Sequence, residues 1–141
     1  VYVCPHSSSP IVLHSGYGTV YAGQQAFFSM ENVRGGAGDD RFFASPSGSF
    51  AREIDRAGGE DWIDFTERSN GVIVDLSASR SSGLTRILNV PNVYGAHFAD
   101  NITGSNSRNV LIGNRGNDAL DGLLGDDAIF GNDGNDAITG G

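Results

Sequence analysis

The sequence predicts an all-β chain whose short parallel strands wind into a solenoid. Three observations carry this. From Gly95 onward a glycine returns every nine residues, at 95, 104, 113, 122, 131 and 140. In each frame of nine the eighth residue is aliphatic: Ile102, Leu111, Leu120, Ile129 and Ile138. No segment keeps a helical period, whereas several short runs alternate as strands do.

The complete frames read GAHFADNIT, GSNSRNVLI, GNRGNDALD, GLLGDDAIF and GNDGNDAIT. Their sixth residues are Asp100, Asn109, Asp118, Asp127 and Asp136, and the last three frames carry a second glycine at the fourth position, Gly116, Gly125 and Gly134. Glycines at the first and fourth positions supply a tight turn that side chains would forbid. The three residues after the sixth form a very short strand. Strand side chains alternate, so the eighth residue points inward and the small Ala119, Ala128 and Ala137 at the seventh point outward. One turn and one strand make half a coil, so two frames close a coil of 18 residues. Ile102, Leu120 and Ile138 then line one wall of the interior, and Leu111 and Ile129 the other.

Upstream the same template is looser. Ile11 to Leu13 and Thr19 to Ala22 read as strands, with Ser7 to Pro10 as a link before them. GGAGDDRFF, from Gly35, is a full frame with Gly38, Asp40 and Phe42 in the fourth, sixth and eighth positions. RAGGEDWID, from Arg56, matches at Gly59, Asp61 and Ile63, but it follows after 21 residues rather than 18. The register therefore slips, at the loop SPSGS from Ser45, and the slip is expected to separate Asp40 from Asp61. In GVIVDLSAS, Val72, Val74 and Leu76 share one face of a strand. Ser79 to Gly83 reads as a loop, and RILNVPNVYG as two strands broken at Pro91. Residues 1–94 are thus an irregular β-rich segment and residues 95–141 a regular repeat, with the boundary near Tyr94.

Composition narrows the function. The chain has 141 residues, a formal charge of −8 and nine basic residues, all of them Arg. So acidic a chain has no electrostatic footprint for nucleic acid or an anionic membrane, and no apolar run is long enough for membrane insertion. Hydrophobic residues make up 38%, too few for a thick core. The lone Cys4 excludes an internal disulfide. Cys4, His6 and His14 offer three ligands at irregular spacing, short of a zinc site, and His97 is alone. No nucleophile–base pair and no His-Glu-x-x-His motif occurs, so the chain is read as non-enzymatic. It starts without Met and stops in mid-pattern, as a piece of a larger polypeptide would, and is expected to be a monomeric module.

The thin interior must offset a backbone ordering cost of roughly 1–2 kcal/mol per residue, which glycine raises. Stacking also brings like charges together: Asp100, Asp118 and Asp136 on one edge, Asn109 and Asp127 on the other. Calcium reverses that sign. It takes six to eight oxygens from flexible carboxylates and backbone carbonyls, both of which these turns supply. Metal binding then becomes folding energy. The metal-binding residues expected on this reading are Asp118, Asp136, Asp127, Asp100 and Asn109, with Gly113, Gly116, Gly125, Gly131 and Gly134. Asp40, Gly38 and Asp61 join them upstream. Asp118, flanked by Asp100 and Asp136, ranks first, and Asp127, above the neutral Asn109, ranks lower. Residues at the fifth position, Asp39, Asn117, Asp126 and Asn135, read as turn formers or solvated groups.

The pattern resembles the RTX (hemolysin-type) calcium-binding repeat GGxGxDxUx, continuously from Gly95 to Gly141 and in part from Gly35 to Asp64. The stretches SMENVRGGAGDD and LNVPNVYGAHFADNITG resemble segments that lead into such repeats. The resemblance implies a right-handed parallel β-roll, type I export and folding on extracellular calcium. This chain departs from the pattern at the second position, where Ala96, Ser105, Asn114, Leu123 and Asn132 replace glycine. The function expected is a calcium-binding structural module of a secreted or cell-surface protein. The alternatives are the non-catalytic tail of an exoenzyme, such as a metalloprotease, lipase or alginate epimerase, or part of an adhesin. For the adhesin, Tyr94, Phe98 and Phe130 look too scattered to form a binding face.

Overall fold

A computed structural model describes residues 11–12, 18–21, 32–34, 38–44, 53–55, 59–82 and 86–141. Cys4, His6, His14, the Ser7 to Pro10 link and the SPSGS loop lie outside these residues. All regular structure described is β, in three sheets. The longest has six strands, all parallel, in the order Ala128–Asp133, Val110–Arg115, Asn92–Tyr94, Trp62–Asp64, Asp40–Phe43 and Gly18–Tyr21. Two further sheets take turns opposite it. Ile11–Val12, Asn32–Arg34, Glu53–Asp55 and Arg86–Leu88 form one, which serves the earlier coils. Ile73–Asp75, Asn101–Thr103, Ala119–Asp121 and Ala137–Thr139 form the other, which serves the later ones. Between Trp62 and Leu88 the chain visits all three sheets, so the solenoid changes its second wall without breaking its first.

The expected coil is present. Ile102 pairs with Leu120 and Leu120 with Ile138, while Leu111 pairs with Ile129. Val74 and Val93 extend the two ladders downward, and Ile63 and Phe42 carry the second one further. Eighth-position residues point inward: Ile102, Leu111, Leu120, Phe42 and Ile63 are buried. Ile129 is partly buried and Ile138 is 50% exposed. The core is widest where the chain turns through three walls, with Phe65, Val72, Val74, Leu76, Ile87 and Val90 all buried.

Two upstream expectations change. Ser79 to Gly83 is not simply a loop: Arg80 and Ser81 pair antiparallel with Asp75 and Val74, closing a small hairpin. Its turn uses Ser79 at φ 58°, held by the Leu76 carbonyl, and Asp75 Oδ1 accepts from Ser77 and Ala78. Second, the 21-residue interval does not separate Asp40 from Asp61. Arg41 pairs with Trp62 and Phe42 with Ile63, so the two frames lie in register, and the additional residues are taken up between their strands.

The outer face of the long sheet is braced across coils. Arg41 donates to the buried Asp64 at 2.7 Å, and Thr66 caps the other oxygen of the same carboxylate. The Arg41 guanidinium lies 4.4 Å from the Tyr94 ring centroid and 5.0 Å from that of Phe43, and Trp62 stacks on Tyr94 at 4.4 Å. Tyr94, Ile112 and Phe130, one 18-residue coil apart, stand in one column, so Tyr94 and Phe130 are not scattered, contrary to the sequence expectation.

The interior is one side chain thick, so truncation inside it should be costly. Leu111→Ala should lower stability by about 2–5 kcal/mol, and Ile138→Ala by under about 1 kcal/mol. Urea unfolding of both variants in excess calcium measures this; equal losses would contradict the burial difference.

Candidate calcium turns

Each sixth-position side chain joins two coils. Asp118 Oδ1 accepts the N–H of Asp100 at 2.8 Å, and Asp136 Oδ1 that of Asp118 at 3.0 Å. On the opposite edge Asp127 Oδ1 accepts the N–H of Asn109 at 2.8 Å. Upstream, Asp61 Oδ1 accepts the N–H of Asp40 at 2.8 Å. The structure therefore brings Asp100, Asp118 and Asp136 together on one edge, Asn109 and Asp127 on the other, and Asp40 and Asp61 at the far end.

The second carboxylate oxygen explains the opening glycine. A Cβ on Gly113 would collide with Asp118 Oδ2 and stand 3.0 Å from the Gly131 carbonyl oxygen. On Gly122 it would collide with Asp127 Oδ2 and stand 3.0 Å from the Gly140 carbonyl oxygen. The first glycine is thus required by close approach rather than by a special φ. What it leaves is a cradle in which a carboxylate oxygen and a carbonyl oxygen of the next coil converge. Asp118 Oδ2 and Asp127 Oδ2 are buried and accept no hydrogen bond from the protein. Asp127 therefore stands in the same arrangement as Asp118, because its carbonyl comes from the coil above and not from Asn109 below.

The fourth glycine does need its freedom. Gly116, Gly125 and Gly134 have φ of 134°, 129° and 145°. Each also lies against the turn of the coil beneath; a Cβ on Gly116 would stand 2.6 Å from the Phe98 carbonyl oxygen. Gly59, at φ 87°, sits on Gly38 in the same way. At the second position Asn114, Leu123 and Asn132 adopt φ of 76°, 66° and 68°, left-handed values that glycine would take without strain. Asn114 gains a partial return by donating from Nδ2 to the Gly95 carbonyl at 2.8 Å.

The two earlier frames are built differently. Ala96 and Ser105 do not take the left-handed conformation, and their N–H groups turn inward. Ala96 donates to Asp100 Oδ2 at 2.7 Å, while Asp100 Oδ1 accepts from Val72 at 2.8 Å. Ser105 donates to Asn109 Oδ1 at 2.6 Å, and Asn109 Nδ2 donates to the Pro91 carbonyl at 2.8 Å. The fifth position also has a role that sequence reading missed. Asn117 Oδ1 accepts from Asn135 N–H and Asp39 Oδ1 from Glu60 N–H, each tying one turn to the next. Only the period itself, with Asn or Asp at that place, could have signalled it.

Burial shifts two of the carboxylates. Desolvation pushes Asp100 up to about 6, against the N–H bonds from Val72 and Ala96, and the neighbouring Asp118 adds to the rise. Asp118 is raised for the same first cause, with Asp136 contributing. Among the described residues no three of His, Cys, Asp and Glu converge on one point. The cradles instead pair single carboxylates with backbone carbonyls. That all-oxygen donor set suits a hard, large cation such as calcium and not a zinc ion.

Two consequences can be measured. Gly113→Ala should cost about 1–3 kcal/mol through overpacking, whereas Gly140→Ala, with open space around it, should change stability by under about 0.5 kcal/mol. Equal effects in thermal melts would contradict the cradle. Because the folded Asp100 binds its proton more tightly than the unfolded residue, its contribution is full at low pH and is lost as pH rises through about 6. In chelator-treated buffer the protein should therefore melt at a higher temperature at about pH 5 than at about pH 7.5, and the reverse order would contradict the shift. Asp75, whose pKa is lowered first by its bond from Ser77, has the opposite sign: its contribution is present above the usual carboxylate range and is lost as pH falls below it.

Comparison with known proteins agrees with the geometry. The family model of the RTX calcium-binding nonapeptide repeat matches in four copies, over residues 31–46, 94–129 and 112–141. No curated protein matches the chain closely enough to compare. The matched segments include the strand Asp40–Phe43 and the stacked turns after Gly95, and over them the chain is similar to the RTX calcium-binding nonapeptide repeat.

Proposed function

We propose that this chain is a calcium-dependent structural module, with its ions held in the turns that close on Asp118, Asp127 and Asp136. The observation that carries the reading is the pair of buried oxygens, Asp118 Oδ2 and Asp127 Oδ2, that lack a protein donor and face a carbonyl across a glycine gap. A cation there supplies the positive charge that stacked carboxylates need. Asp118, Asp127 and Asp136 would hold it through their carboxylates, and the turns at Gly113, Gly116, Gly122, Gly125, Gly131 and Gly134 through backbone oxygens. The turn joining Gly38 and Asp40 to Gly59 and Asp61 repeats the stacking and lies within a matched or in-register frame, so it is included as a second locus.

On this reading the module does no chemistry. Its repeat family is structural, and its calcium sites would be filled by protein oxygens rather than left open for a substrate. The family's habit of type I export supports a secreted or cell-surface location, where calcium is near millimolar and the sites of extracellular modules are tuned to it. Residues 95–141 would be the regular roll and residues 1–94 its irregular lead-in. The partner is then the rest of a larger polypeptide, for which an exoenzyme tail is one setting. Among the described residues no helix is long and apolar enough to cross a membrane.

Calcium at about millimolar concentration should increase β-structure in chelator-treated protein, as followed by circular dichroism, and raise the melting temperature by mass action. Magnesium should do so poorly, because it holds its water and demands a tighter octahedral shell. A calorimetric titration without binding heat and a melting temperature indifferent to calcium would refute the proposal.

A further inference from the structure

The roll contains two kinds of coil, and they differ in whether the protein alone completes the hydrogen bonding of the turn. In the frames from Gly95 and Gly104 it does. Both oxygens of Asp100 accept N–H groups, from Val72 and Ala96. Asn109 places its oxygen in the Gly104 cradle, where it accepts from Ser105, and donates from its amide nitrogen to Pro91 of the coil beneath, so both side-chain atoms have protein partners. In the frames from Gly113 and Gly122 it does not: the second residue turns left-handed, at Asn114 and Leu123, and Asp118 Oδ2 and Asp127 Oδ2 are left without a donor.

Core packing divides the chain at the same place. Of the fourteen buried core residues described, from Phe42 to Leu120, only Leu111 and Leu120 follow Gly104. The coils between Trp62 and Gly104 also hold the three-walled section, the hairpin at Arg80–Ser81 and the Trp62–Tyr94 stack. The coils after Gly113 have alternating ladders only one side chain thick, with Ile129 partly buried.

We propose that residues 62–104 form a calcium-independent platform, on which residues 113–141 wind only when calcium is bound, and that Asp100 and Asn109 are structural hydrogen-bonding residues rather than metal ligands. The platform presents the edges of two parallel strands, Asn92–Tyr94 and Asn101–Thr103, as a template in the correct register. The first winding coil then begins at positions already ordered, which lowers the nucleation cost of each calcium site. This rests on the calcium reading above but makes a separate demand of the calcium-free state.

Amide hydrogen exchange of the whole 141-residue chain, with chelator and with excess calcium, tests it. The expected result is slow exchange in residues 62–82 and 86–104 under both conditions, and slow exchange in residues 113–139 only with calcium. Two variants sharpen the test. Asp100→Ala leaves the Val72 and Ala96 N–H groups unpaired, so it should lower the calcium-free melting temperature while leaving the number of bound calcium ions unchanged. Asp118→Ala should leave the calcium-free melting temperature unchanged and remove at least one ion. The proposal is overturned if residues 62–104 exchange in chelator as fast as residues 113–139, or if both segments stay protected there. Loss of a calcium ion in Asp100→Ala would overturn the assignment of that residue. A chain that binds no calcium, yet keeps residues 62–104 protected, would refute the calcium function and leave the platform standing.

Discussion

A carboxylate that reaches from one coil to the backbone of the next is the interaction on which the rest of this structure depends. In a two-walled solenoid each coil contributes only one or two inward side chains, and turns rich in glycine raise the entropy cost of ordering. Hydrophobic burial therefore sets which residues face inward but leaves the stacking of the turns weakly held. The bond from Asp118 Oδ1 to Asp100 N–H, repeated from Asp136 to Asp118 and from Asp127 to Asn109, holds the turns at the spacing of the strands. It also buries charge. The same residues that fix the geometry make it electrostatically incomplete, and the raised pKa values of Asp100 and Asp118 are the mark of that cost.

Much of this was legible because the period is strict. A nine-residue repeat of glycine, aspartate and aliphatic residue leaves few ways to form strands of three, and the pairing of Ile102 with Leu120 and Ile138 follows directly. What the spacing could not show was the role of each oxygen. The opening glycine looked like a turn former, yet Gly113 and Gly122 serve to make room for Asp118 Oδ2 and Asp127 Oδ2. That function depends on a contact five residues away in the folded turn. Nor could it show that the frames at Gly35 and Arg56 are aligned, because an insertion between two strands shifts the sequence without shifting the ladder. The hairpin at Arg80–Ser81 was missed for a related reason. Two residues of Arg and Ser carry no strand signal, and their pairing is imposed by the turn at Asp75.

Departures from the glycine pattern carry as much information as the pattern. Asn114, Leu123 and Asn132 stand where a glycine would be unstrained. Asparagine tolerates the left-handed region better than most residues, and Asn114 recovers a hydrogen bond to Gly95. Leu123 has no such side-chain group. It bears the strain with the Asp121 carboxylate accepting its N–H at 3.1 Å. Ala96 and Ser105, at the same position of the earlier frames, avoid the left-handed region and turn their N–H groups onto Asp100 and Asn109 instead. The backbone conformation at this one position thus goes with whether a turn satisfies its own carboxylate or leaves one oxygen without a donor.

The change of wall completes this logic. Near Trp62 the chain must leave the sheet of Asn32–Arg34 and Glu53–Asp55 and begin the sheet of Asn101–Thr103, while the long sheet continues beneath both. A two-walled coil cannot make that change without exposing the ends of its ladders. The chain makes it by adding a third strand to one coil, Ile73–Asp75, before returning to Arg86–Leu88 and then to Asn92–Tyr94. The wider section admits Phe65, Ile87 and Val90, so the place with most topological disruption also has the thickest core. Hydrophobic burial is strong where the coil is irregular, and bridging carboxylates accumulate where it is regular and thin. The regular repeat thus packs its bridging carboxylates directly against the edge of the thick-cored section.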